Sequence, residues 1–311
     1  RDAMLLNLHS RLAQRVLVQL HHSGYRNEQD LYRAAGDVPW EIWFTPRESI
    51  KVEVTAQHSP LTSLNFAALK IKDAVADRFR QKTGVRPDVN TQWPDVRIYA
   101  HLTTDTATLY IDTSGEPLFK RGWREDTGEA PLKETLAAAM IAASGWDAQT
   151  PLYDPCCGSG TIAIEAGLFA GNIPPGIFRK GFGFQRWNDY NEDLYGTIHD
   201  SVLGRISEEE PVIIAGERSR TIADLARTNV ANAQLDDSVE VRHTPFEDLE
   251  PPTAKGILII NPPYGERMDH RGAHADVEVE EINAFYKMIG DTLKKRWAGW
   301  QAWVITSNLE A

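Results

Sequence analysis

Apolar residues recur with two different periods in the second half of the chain. Short apolar runs that predict buried strands alternate with longer segments in which apolar residues have helical spacing. The predicted strands are residues 152–153, 212–215, 239–241, 257–260 and 302–306. The predicted helices are residues 132–144, 160–170, 219–233 and 279–296. Strands and helices in this order predict an α/β fold with a parallel sheet and right-handed crossovers.

The first half of the chain has a different pattern, which predicts a small α+β unit. Residues 1–24 carry apolar residues at helical spacing and predict a helix, although residues 16–18 also have the character of a strand. Ser63 is a predicted N-cap of a helix that ends near Lys82. The other predicted elements are a short helix at 30–35, a strand at 51–55 and a hairpin of 96–102 with 108–113.

Two further segments separate these elements. Residues 115–131 are rich in glycine, proline and charge, and we interpret them as a linker between two domains. Residues 171–210 form a long insertion before the second strand of the parallel sheet, and they contain the aromatic run Gly181-Phe-Gly-Phe184 and Trp187. A length of 311 residues agrees with about two domains.

Charge is distributed unevenly along the chain. The net charge of −11 argues against a general attraction to nucleic acid. Residues 1–130, however, hold 17 basic and 17 acidic side chains, whereas residues 131–311 hold 16 and 27. A polyanionic partner is therefore expected to contact a local patch in the first half.

Composition excludes several classes of protein. The chain is 42% hydrophobic and 25% charged, which is typical of globular proteins, and no apolar stretch approaches the about 20 residues that span a bilayer. The only cysteines, Cys156 and Cys157, are adjacent and cannot form an ordinary structural disulfide. No Cys/His cluster has the spacing of a zinc site. We therefore expect no membrane, no metal and a cytoplasmic location.

A glycine loop, Asp154-Pro-Cys-Cys-Gly-Ser-Gly-Thr161, joins the first strand of the predicted parallel sheet to a helix. Glycines can adopt positive φ and let a ligand approach the backbone, and the helix start offers free N–H groups to an anion. Ligands bind at the carboxyl ends of strands in open parallel sheets. The loop therefore predicts a nucleotide-like cofactor. The candidate contacts are Asp154, Cys156, Gly158, Gly160 and Thr161.

The loop alone leaves the cofactor open, because Gly158, Gly160 and Ala163 also fit the dinucleotide pattern G-x-G-x-x-A. Asp154 at the strand end would repel a pyrophosphate but suits the cationic amino-acid end of S-adenosylmethionine (AdoMet). Glu217 follows much later than the roughly 20 residues at which a dinucleotide fold places its ribose-binding acid. A tight turn without a ligand is a further alternative. No sequence signature supplies a base for a thiol nucleophile.

Two later strand ends offer further contacts to a cofactor. Glu217 ends the second strand, where its carboxylate can accept both hydroxyls of a ribose. After the third strand, Phe246 can flank an adenine ring, and Glu247 or Asp248 can accept from the adenine amino group. The alternatives are a solvated acid at the strand end and an ordinary surface loop.

The sequence Asn261-Pro-Pro-Tyr264 follows the fourth strand, and its tandem prolines stiffen the loop. The side-chain oxygen of Asn261 and the carbonyl of Pro262 can accept both N–H bonds of an exocyclic amino group and aim its lone pair at a methyl group. Tyr264 can stack on a flipped base. Because direct displacement depends mainly on alignment, we predict methyl transfer with these three catalytic residues. Asn-Pro is also a common turn signal.

Together the motifs resemble those of class I AdoMet-dependent amino-methyltransferases. They are most similar to the RlmL-type, THUMP-domain enzymes that methylate guanine N2 in 23S ribosomal RNA. The segments that carry the resemblance are residues 63–73, 112–124, 130–136, the glycine loop, 181–184 with Trp187, and 261–267. Asn-Pro-Pro-Tyr itself is shared with adenine-N6 and glutamine-N5 methyltransferases, whereas the linker and tail segments are specific.

The resemblance implies a domain order. A remnant of an N-terminal ferredoxin-like domain occupies 1–27, a THUMP RNA-binding domain 28–114 and a linker 115–131. A Rossmann-like AdoMet-dependent methyltransferase domain occupies 132–311, without its closing C-terminal hairpin. AdoMet is the implied cofactor. One departure is Thr244-Pro245, which stands where the family often has an acid after the third strand.

An RNA partner is also implied, either 23S ribosomal RNA or an intermediate of large-subunit assembly. Basic residues on the predicted helix of the first half and in the linker agree with this. The candidate RNA contacts are Lys70, Lys72, Arg78, Arg80, Lys120, Arg121 and Arg124. A solvated helix face is the alternative.

Other functions share parts of this pattern. They are adenine-N6 methylation of DNA or RNA, guanine-N2 methylation of transfer RNA, glutamine methylation of a protein, and a non-enzymatic RNA-binding or assembly factor. The THUMP-like first half favours RNA over DNA or protein as the substrate. The residues Asp154, Asn261 and Tyr264 argue against a non-enzymatic role.

Overall fold

The computed structural model describes residues 1–124, 131–207, 211–262 and 275–306. The chain divides into two compact units, and neither is continuous in sequence. The first unit comprises residues 1–8, 13–118 and 180–199, and the second comprises 9–12, 119–179 and 200–311. Part of the insertion therefore packs within the first unit, whereas the sequence-based division placed all of 132–311 in one domain. The boundaries that we inferred from the sequence stay predictions.

The first unit is built on a four-stranded mixed sheet with the order β1-β4-β3-β2. Its strands are β1 (Leu17–Gly24), β2 (Ile50–Ala56), β3 (Val96–Leu102) and β4 (Thr106–Asp112). Strands β2 and β3 are parallel, and the other neighbours are antiparallel, which confirms the predicted hairpin of β3 and β4. The helices are α1 (Asp2–His9), α2 (Glu28–Asp37) and α3 (Leu64–Thr83).

The ends of α3 follow the local signals in the sequence. The hydroxyl of Ser63 accepts a hydrogen bond from the backbone N–H of Phe66, so Ser63 is the N-cap, as predicted. Gly84 ends the helix in the left-handed conformation with a φ of 77°. The face that the helix buries carries Ile71, Val75 and Phe79. Burial of this apolar face holds α3 in the core of the first unit.

The predicted helix over residues 1–24 is wrong in its second half. Helix α1 ends at His9, and Leu17 begins strand β1, which pairs antiparallel with β4. Side chains in β1 are alternately more and less exposed, as expected for a strand with one face on the core. Pairing with a strand almost ninety residues later thus prevailed over the helical spacing of the apolar residues.

Residues 180–199 of the insertion pack within the first unit. Trp187 contacts Trp43 edge-on, with ring centroids 5.0 Å apart, and Phe182 stacks on Phe184 at 5.3 Å. Gly183 is required because a Cβ there would lie 2.9 Å from the backbone nitrogen of Gly115. The insertion also contains helix α6 (Glu192–Leu203), which the sequence patterns did not predict.

The second unit contains a five-stranded sheet with the order β7-β6-β5-β8-β9, and every pair of neighbours is parallel. The strands are β5 (Leu152–Asp154), β6 (Ile213–Glu217), β7 (Val239–His243), β8 (Ile257–Ile260) and β9 (Gln301–Val304). The helices are α4 (Glu134–Ser144), α5 (Thr161–Ala170), α7 (Arg220–Asn232) and α8 (Ala275–Arg296). The predicted α/β class with a parallel sheet is confirmed.

A buried ion pair joins the start of this unit to helix α5. The guanidinium of Arg121 donates from Nε to Oε1 of Glu165 at 3.0 Å and from Nη2 to Oε2 at 3.2 Å. Nη2 also donates to the backbone oxygen of Arg11 at 2.7 Å. The two side chains are 1% and 0% exposed. Arg121 was a candidate RNA contact, and this interpretation is wrong because its charge is enclosed and already paired.

We predict that Glu165→Gln lowers the free energy of unfolding by about 3 kcal/mol, because it leaves the buried guanidinium of Arg121 without a counter-ion. Chemical denaturation of the chain would measure the change. Glu240→Gln is the matched control, since Glu240 pairs with Arg242 at the surface and its loss should cost less than about 1 kcal/mol. Equal stability of the two variants would contradict the structural role of the buried pair.

Candidate functional site

A cavity of about 500 Å³ lies in the second unit, at the carboxyl ends of the parallel strands. The strand order reverses beside β5, since β6 lies on one side of it and β8 on the other. Open parallel sheets bind ligands at such a position. The cavity brings together candidate residues from four separate segments of sequence. These are Asp154, Cys156, Gly158, Thr161, Glu217, Phe246, Glu247 and Asn261.

Four candidates are not among the described lining residues, and Asp248 is one of them. Gly160 is the N-cap of α5, with a φ of 88°, so it sets the turn into the helix. Pro262, the residue that follows Asn261 in the sequence, is buried. Tyr264 lies outside the described residues, and its predicted role in stacking stays a prediction.

The glycine loop is held in place from neighbouring elements of the same unit. The backbone N–H of Gly158 donates to Oε2 of Glu217 at 3.1 Å, and the N–H of Cys157 donates to the backbone oxygen of Gly216 at 2.9 Å. From α7, the amide of Asn229 donates to the backbone oxygen of Ser159 at 3.0 Å. The loop therefore has a fixed shape, with its backbone aligned by β6 and α7.

Asp154 presents an unpaired oxygen at the end of β5. The residue is completely buried, and its Oδ2 has no hydrogen-bond partner. Burial raises the pKa of its carboxyl to about 8, and the negative charge of Glu217 adds to this. The other oxygen of Asp154, Oδ1, accepts from the backbone N–H of Cys156 at 3.4 Å. A buried carboxyl oxygen without a partner, such as Oδ2, is costly unless a ligand completes it. Asp154 can accept a hydrogen bond from a cationic group in the cavity.

Glu217 ends β6 with both carboxylate oxygens oriented by the backbone. Oε2 accepts from Gly158, and Oε1 accepts from the N–H of Ser219 at 2.8 Å. A carboxylate oxygen has two lone pairs, so each can also accept from a ligand hydroxyl. The arrangement suits the two hydroxyls of a ribose.

The segment after β7 contributes an aromatic side and an acid. Phe246 is buried in a short 3₁₀ turn and lines the cavity, where its ring can contact a planar base. Glu247 also lines the cavity, but its Oε1 accepts from Arg218 at 2.9 Å. Asp248, the other candidate for the adenine amino group, is not among the lining residues that the structure describes.

Asn261 follows β8 and lines the same cavity. Its side-chain oxygen is buried and has no hydrogen-bond partner. An amide oxygen in this position can accept from an amino group of a substrate. The cysteines play no comparable part, since burial raises the pKa of both the Cys156 and Cys157 thiols and so disfavours a thiolate nucleophile.

Sequence reasoning missed part of the cavity wall. The additional lining residues are Pro131, Leu132, Ser159, Arg218, Ile222, Leu225 and Phe285. Pro131 and Leu132 belong to residues 130–136, which carried the family resemblance, so this segment could have indicated that they line the cofactor cavity. Phe285 lies on α8, more than a hundred residues after the glycine loop. No local pattern marks such a residue, because its place depends on how α8 packs.

Two more of the candidate RNA contacts are engaged inside the protein. Arg78 donates to both oxygens of Glu41 at 2.7 Å and to the backbone oxygen of Gly36 at 2.8 Å. Arg124 is 9% exposed and bonds Glu134, Ser159 and Thr161. The near-complete burial of Arg124 and its three protein acceptors argue against an RNA contact at that residue. Arg78 is 18% exposed, and its contact with RNA stays a prediction.

The remaining basic candidates lie nearer to solvent. On α3, Lys70 lies over the Phe66 ring at 5.4 Å, and Lys72 and Arg80 form ion pairs with acidic neighbours on the same helix. Lys120 has an exposed position in the second unit. Ion pairs at the surface are weak and can exchange for phosphate contacts.

The cavity fits AdoMet by the chemistry of its lining. AdoMet has an ammonium and a carboxylate at one end, a ribose in the middle and an adenine ring at the other. The unpaired oxygen of Asp154 suits the ammonium, the start of α5 suits the carboxylate, and Glu217 suits the ribose. Phe246 suits the adenine ring.

The described part of the chain shows neither a cluster of metal ligands nor a membrane-spanning helix. Among those residues, no group of three or more histidine, cysteine, aspartate or glutamate side chains could hold a metal ion. No helix that the structure describes is both long and apolar enough to cross a membrane.

Two models of known domain families match the chain. The model described as an RMKL-like methyltransferase domain matches residues 121–311. The THUMP-domain model matches residues 25–112. The methyltransferase model thus covers more than half of the chain and includes every described residue that lines the cavity.

Proteins with similar sequences have names that agree with these models. The "Putative RNA methyltransferase slr0064" of Synechocystis sp. is 38% identical over 304 residues, which cover 97% of this chain and 77% of that protein. "Ribosomal RNA large subunit methyltransferase K/L" of Desulfotalea psychrophila is 36% identical over 315 residues, which cover 97% of this chain and 42% of that protein. The chain therefore spans less than half the length of this K/L relative.

Two solved structures share the architecture. One is SMU.472, described as "a putative methyltransferase complexed with SAH", with a TM-score of 0.83 and 26% identity over 99% of this chain and 79% of that one. The other is a "predicted N6-adenine-specific DNA methylase" from Listeria monocytogenes, with a TM-score of 0.86 and 29% identity over 99% of this chain and 78% of that one. The fold predicted from the sequence is confirmed.

We predict that Asp154→Asn raises the stability of the ligand-free protein at pH 8 while it weakens AdoMet binding. An acid whose pKa is raised by folding keeps its proton in the folded state where the unfolded chain has lost it. The free energy of unfolding therefore falls as pH rises from about 4 to about 8. Asparagine removes this loss, so the difference in Tm should grow over that range.

Thermal melts at several pH values and calorimetric titration with AdoMet would measure the two effects. Asp236→Asn is the control, since Asp236 is exposed and should change neither. A variant of Asp154 that melts like the original chain at every pH would refute the raised pKa. Unchanged affinity would refute the contact with the cofactor.

Proposed function

Since the chain belongs to the RMKL-like methyltransferase family, we propose that it transfers a methyl group from AdoMet to N2 of a guanine in 23S ribosomal RNA. The observation that carries the proposal is the unpaired, buried Oδ1 of Asn261 in the same cavity as the unpaired Oδ2 of Asp154. One oxygen can hold an amino group of a base, and the other can hold the cationic end of the cofactor.

The class of reaction, methyl transfer, and the cofactor, AdoMet, are both supported by the comparisons. The family match and the structurally similar methyltransferase complexed with SAH confirm the predicted class of enzyme and its use of AdoMet. A THUMP domain and relatives named as RNA methyltransferases support an RNA substrate. The choice of N2 of guanine and of 23S RNA is the part that is proposed.

When it is bound, AdoMet supplies an electrophilic methyl group on its sulfonium sulfur. The protein aligns the nucleophile with that group. Asn261 Oδ1 accepts an N–H of the exocyclic amine, and the Pro262 carbonyl is proposed to accept the other. Fixing both N–H bonds directs the nitrogen lone pair, which is otherwise delocalised into the ring. Positioning of this kind can contribute about 7–11 kcal/mol to lowering a barrier.

The ribosomal substrate is proposed from the K/L relatives, whose name specifies large-subunit ribosomal RNA. The chain spans only about two fifths of their length, so the activity of those longer proteins does not transfer as a whole. The THUMP match at residues 25–112 favours a substrate made of RNA over one made of DNA or protein.

Methylation of adenine N6 is the second candidate. It is favoured by the name of the similar Listeria structure, a "predicted N6-adenine-specific DNA methylase". Asn261 could accept from the adenine amino group as readily as from that of guanine, because both are exocyclic amines with two N–H bonds. The product of the reaction therefore decides between the two.

We predict that the chain, with AdoMet labelled on the methyl group and unmodified 23S ribosomal RNA, produces N2-methylguanine. Nucleoside mass spectrometry of the digested RNA would identify the product. Asn261→Ala is the inactive control, and it should retain AdoMet binding while losing most turnover, since it removes only the acceptor for the amine. Label found only in adenine would select the second candidate. Full activity of the variant would refute the role of Asn261.

We also predict that Lys70→Gln together with Arg80→Gln weakens binding to the RNA. The logarithm of the binding constant falls with the logarithm of the salt concentration, and each lost phosphate contact should make this slope shallower by about one. Filter binding at several salt concentrations would measure both changes. Arg33→Gln is the control from the same unit, since Arg33 lies on α2 and pairs with Asp30. An unchanged slope in the double variant would exclude this face of α3 as an RNA contact.

A further inference from the structure

Arg124 makes hydrogen bonds with the cofactor loop from inside the second unit. Its Nη1 donates to the hydroxyl of Ser159 at 2.6 Å, and its Nη2 donates to the hydroxyl of Thr161 at 2.8 Å. Its Nε donates to Oε1 of Glu134 at 3.0 Å. Ser159 and Thr161 both line the cavity, one within the glycine loop and one at the first position of α5.

The direction of these hydrogen bonds determines what the two hydroxyls can do. A guanidinium is only a donor, whereas a hydroxyl has one proton to donate and two lone pairs to accept. Both hydroxyl oxygens must therefore accept from Arg124, and each keeps its own proton. Within the part of the chain that the structure describes, neither hydroxyl donates to a protein acceptor. Both protons are available to a ligand in the cavity.

We propose that Arg124 is a positioning residue that fixes the Ser159 and Thr161 hydroxyls as donors to the carboxylate of AdoMet. Donation to a hydroxyl oxygen also polarises it, which strengthens the bond that the hydroxyl itself donates. The inference rests on AdoMet as the cofactor of the proposed function. It does not depend on which base receives the methyl group.

The positive charge of Arg124 does not by itself attract the carboxylate of AdoMet. Glu134 is buried beside the arginine and forms an ion pair with it, so the pair adds no net charge to the cavity wall. The first residues of α5, Thr161 and Ile162, also line the cavity, and the free N–H groups at a helix start favour an anion. Asp154, with its unpaired oxygen, is left for the ammonium. The two charged groups at the amino-acid end of AdoMet thus have separate partners.

The test compares AdoMet with its decarboxylated form, which lacks the carboxylate but keeps the ammonium, the ribose and the adenine. Calorimetry with each ligand gives the preference of the protein for the carboxylate as a ratio of two Kd values. In Arg124→Met we expect this ratio to fall about tenfold, because the hydrogen bonds from the two neutral hydroxyls to the charged carboxylate are lost or weakened. Purely structural damage would weaken the binding of both ligands by the same factor and leave the ratio unchanged.

Variants of the hydroxyls keep the test informative if Arg124→Met folds poorly. Ser159→Ala with Thr161→Val leaves Arg124 and Glu134 in place and should lower the same ratio. Adding Arg124→Met together with Glu134→Gln, which avoids an unpaired carboxylate beside the cavity, should lower the ratio of the double variant no further, because the arginine acts through the two hydroxyls. Arg227→Gln is the control, since Arg227 bonds Asp224 and the backbone oxygen of Val241 and none of the loop.

A ratio that stays unchanged in folded Arg124→Met overturns the inference. An equal loss of affinity for both ligands also overturns it. A further fall in the ratio when the arginine and hydroxyl changes are combined does so too. Failure of the original chain to bind AdoMet at all would overturn the proposed function along with it. A methylated product other than N2-methylguanine would overturn only the proposed base and leave the role of Arg124 standing.

Discussion

Parallel hydrogen bonding of β5 to β6 on one side and to β8 on the other is the interaction on which the site depends. Parallel strands end at the same edge, so residues far apart in sequence meet there. Asp154 and Glu217 reach that edge at the ends of β5 and β6, and Asn261 follows the end of β8. The reversal of strand order beside β5 leaves room between them for the cavity.

Several polar atoms in the second unit are buried without partners, which lowers stability in the absence of a ligand. Oδ2 of Asp154 and Oδ1 of Asn261 are two of these atoms, and both belong to residues that line the cavity. The surrounding loop is held by contacts that leave those two atoms alone, such as that of Glu217 to Gly158. Rigid backbone around unsatisfied side chains is the arrangement expected of a preorganised site.

The parallel sheet and most of the cavity could be predicted because their signals are local. Short apolar runs mark the strands, and the glycine loop and Asn261 directly follow two of them. The fate of the arginines could not be predicted, because a basic residue looks the same in the sequence whether it meets RNA or a buried acid. Arg121 and Arg124 are interior because Glu165 and Glu134 lie within reach, and only the folded chain shows this. Most of strand β1 was missed for the same reason, since only residues 16–18 had the character of a strand and its partner β4 is distant in sequence.

The discontinuous division of the chain affects how the protein can form during synthesis. The first unit includes residues 180–199, where Trp187 packs against Trp43. A ribosome that has released only residues 1–118 has therefore not yet supplied all of this unit. Its last piece follows β5 and α5, which belong to the other unit. The two units cannot mature strictly one after the other from the N-terminus, and cutting the chain between them at residue 118 would leave the first without its aromatic insertion.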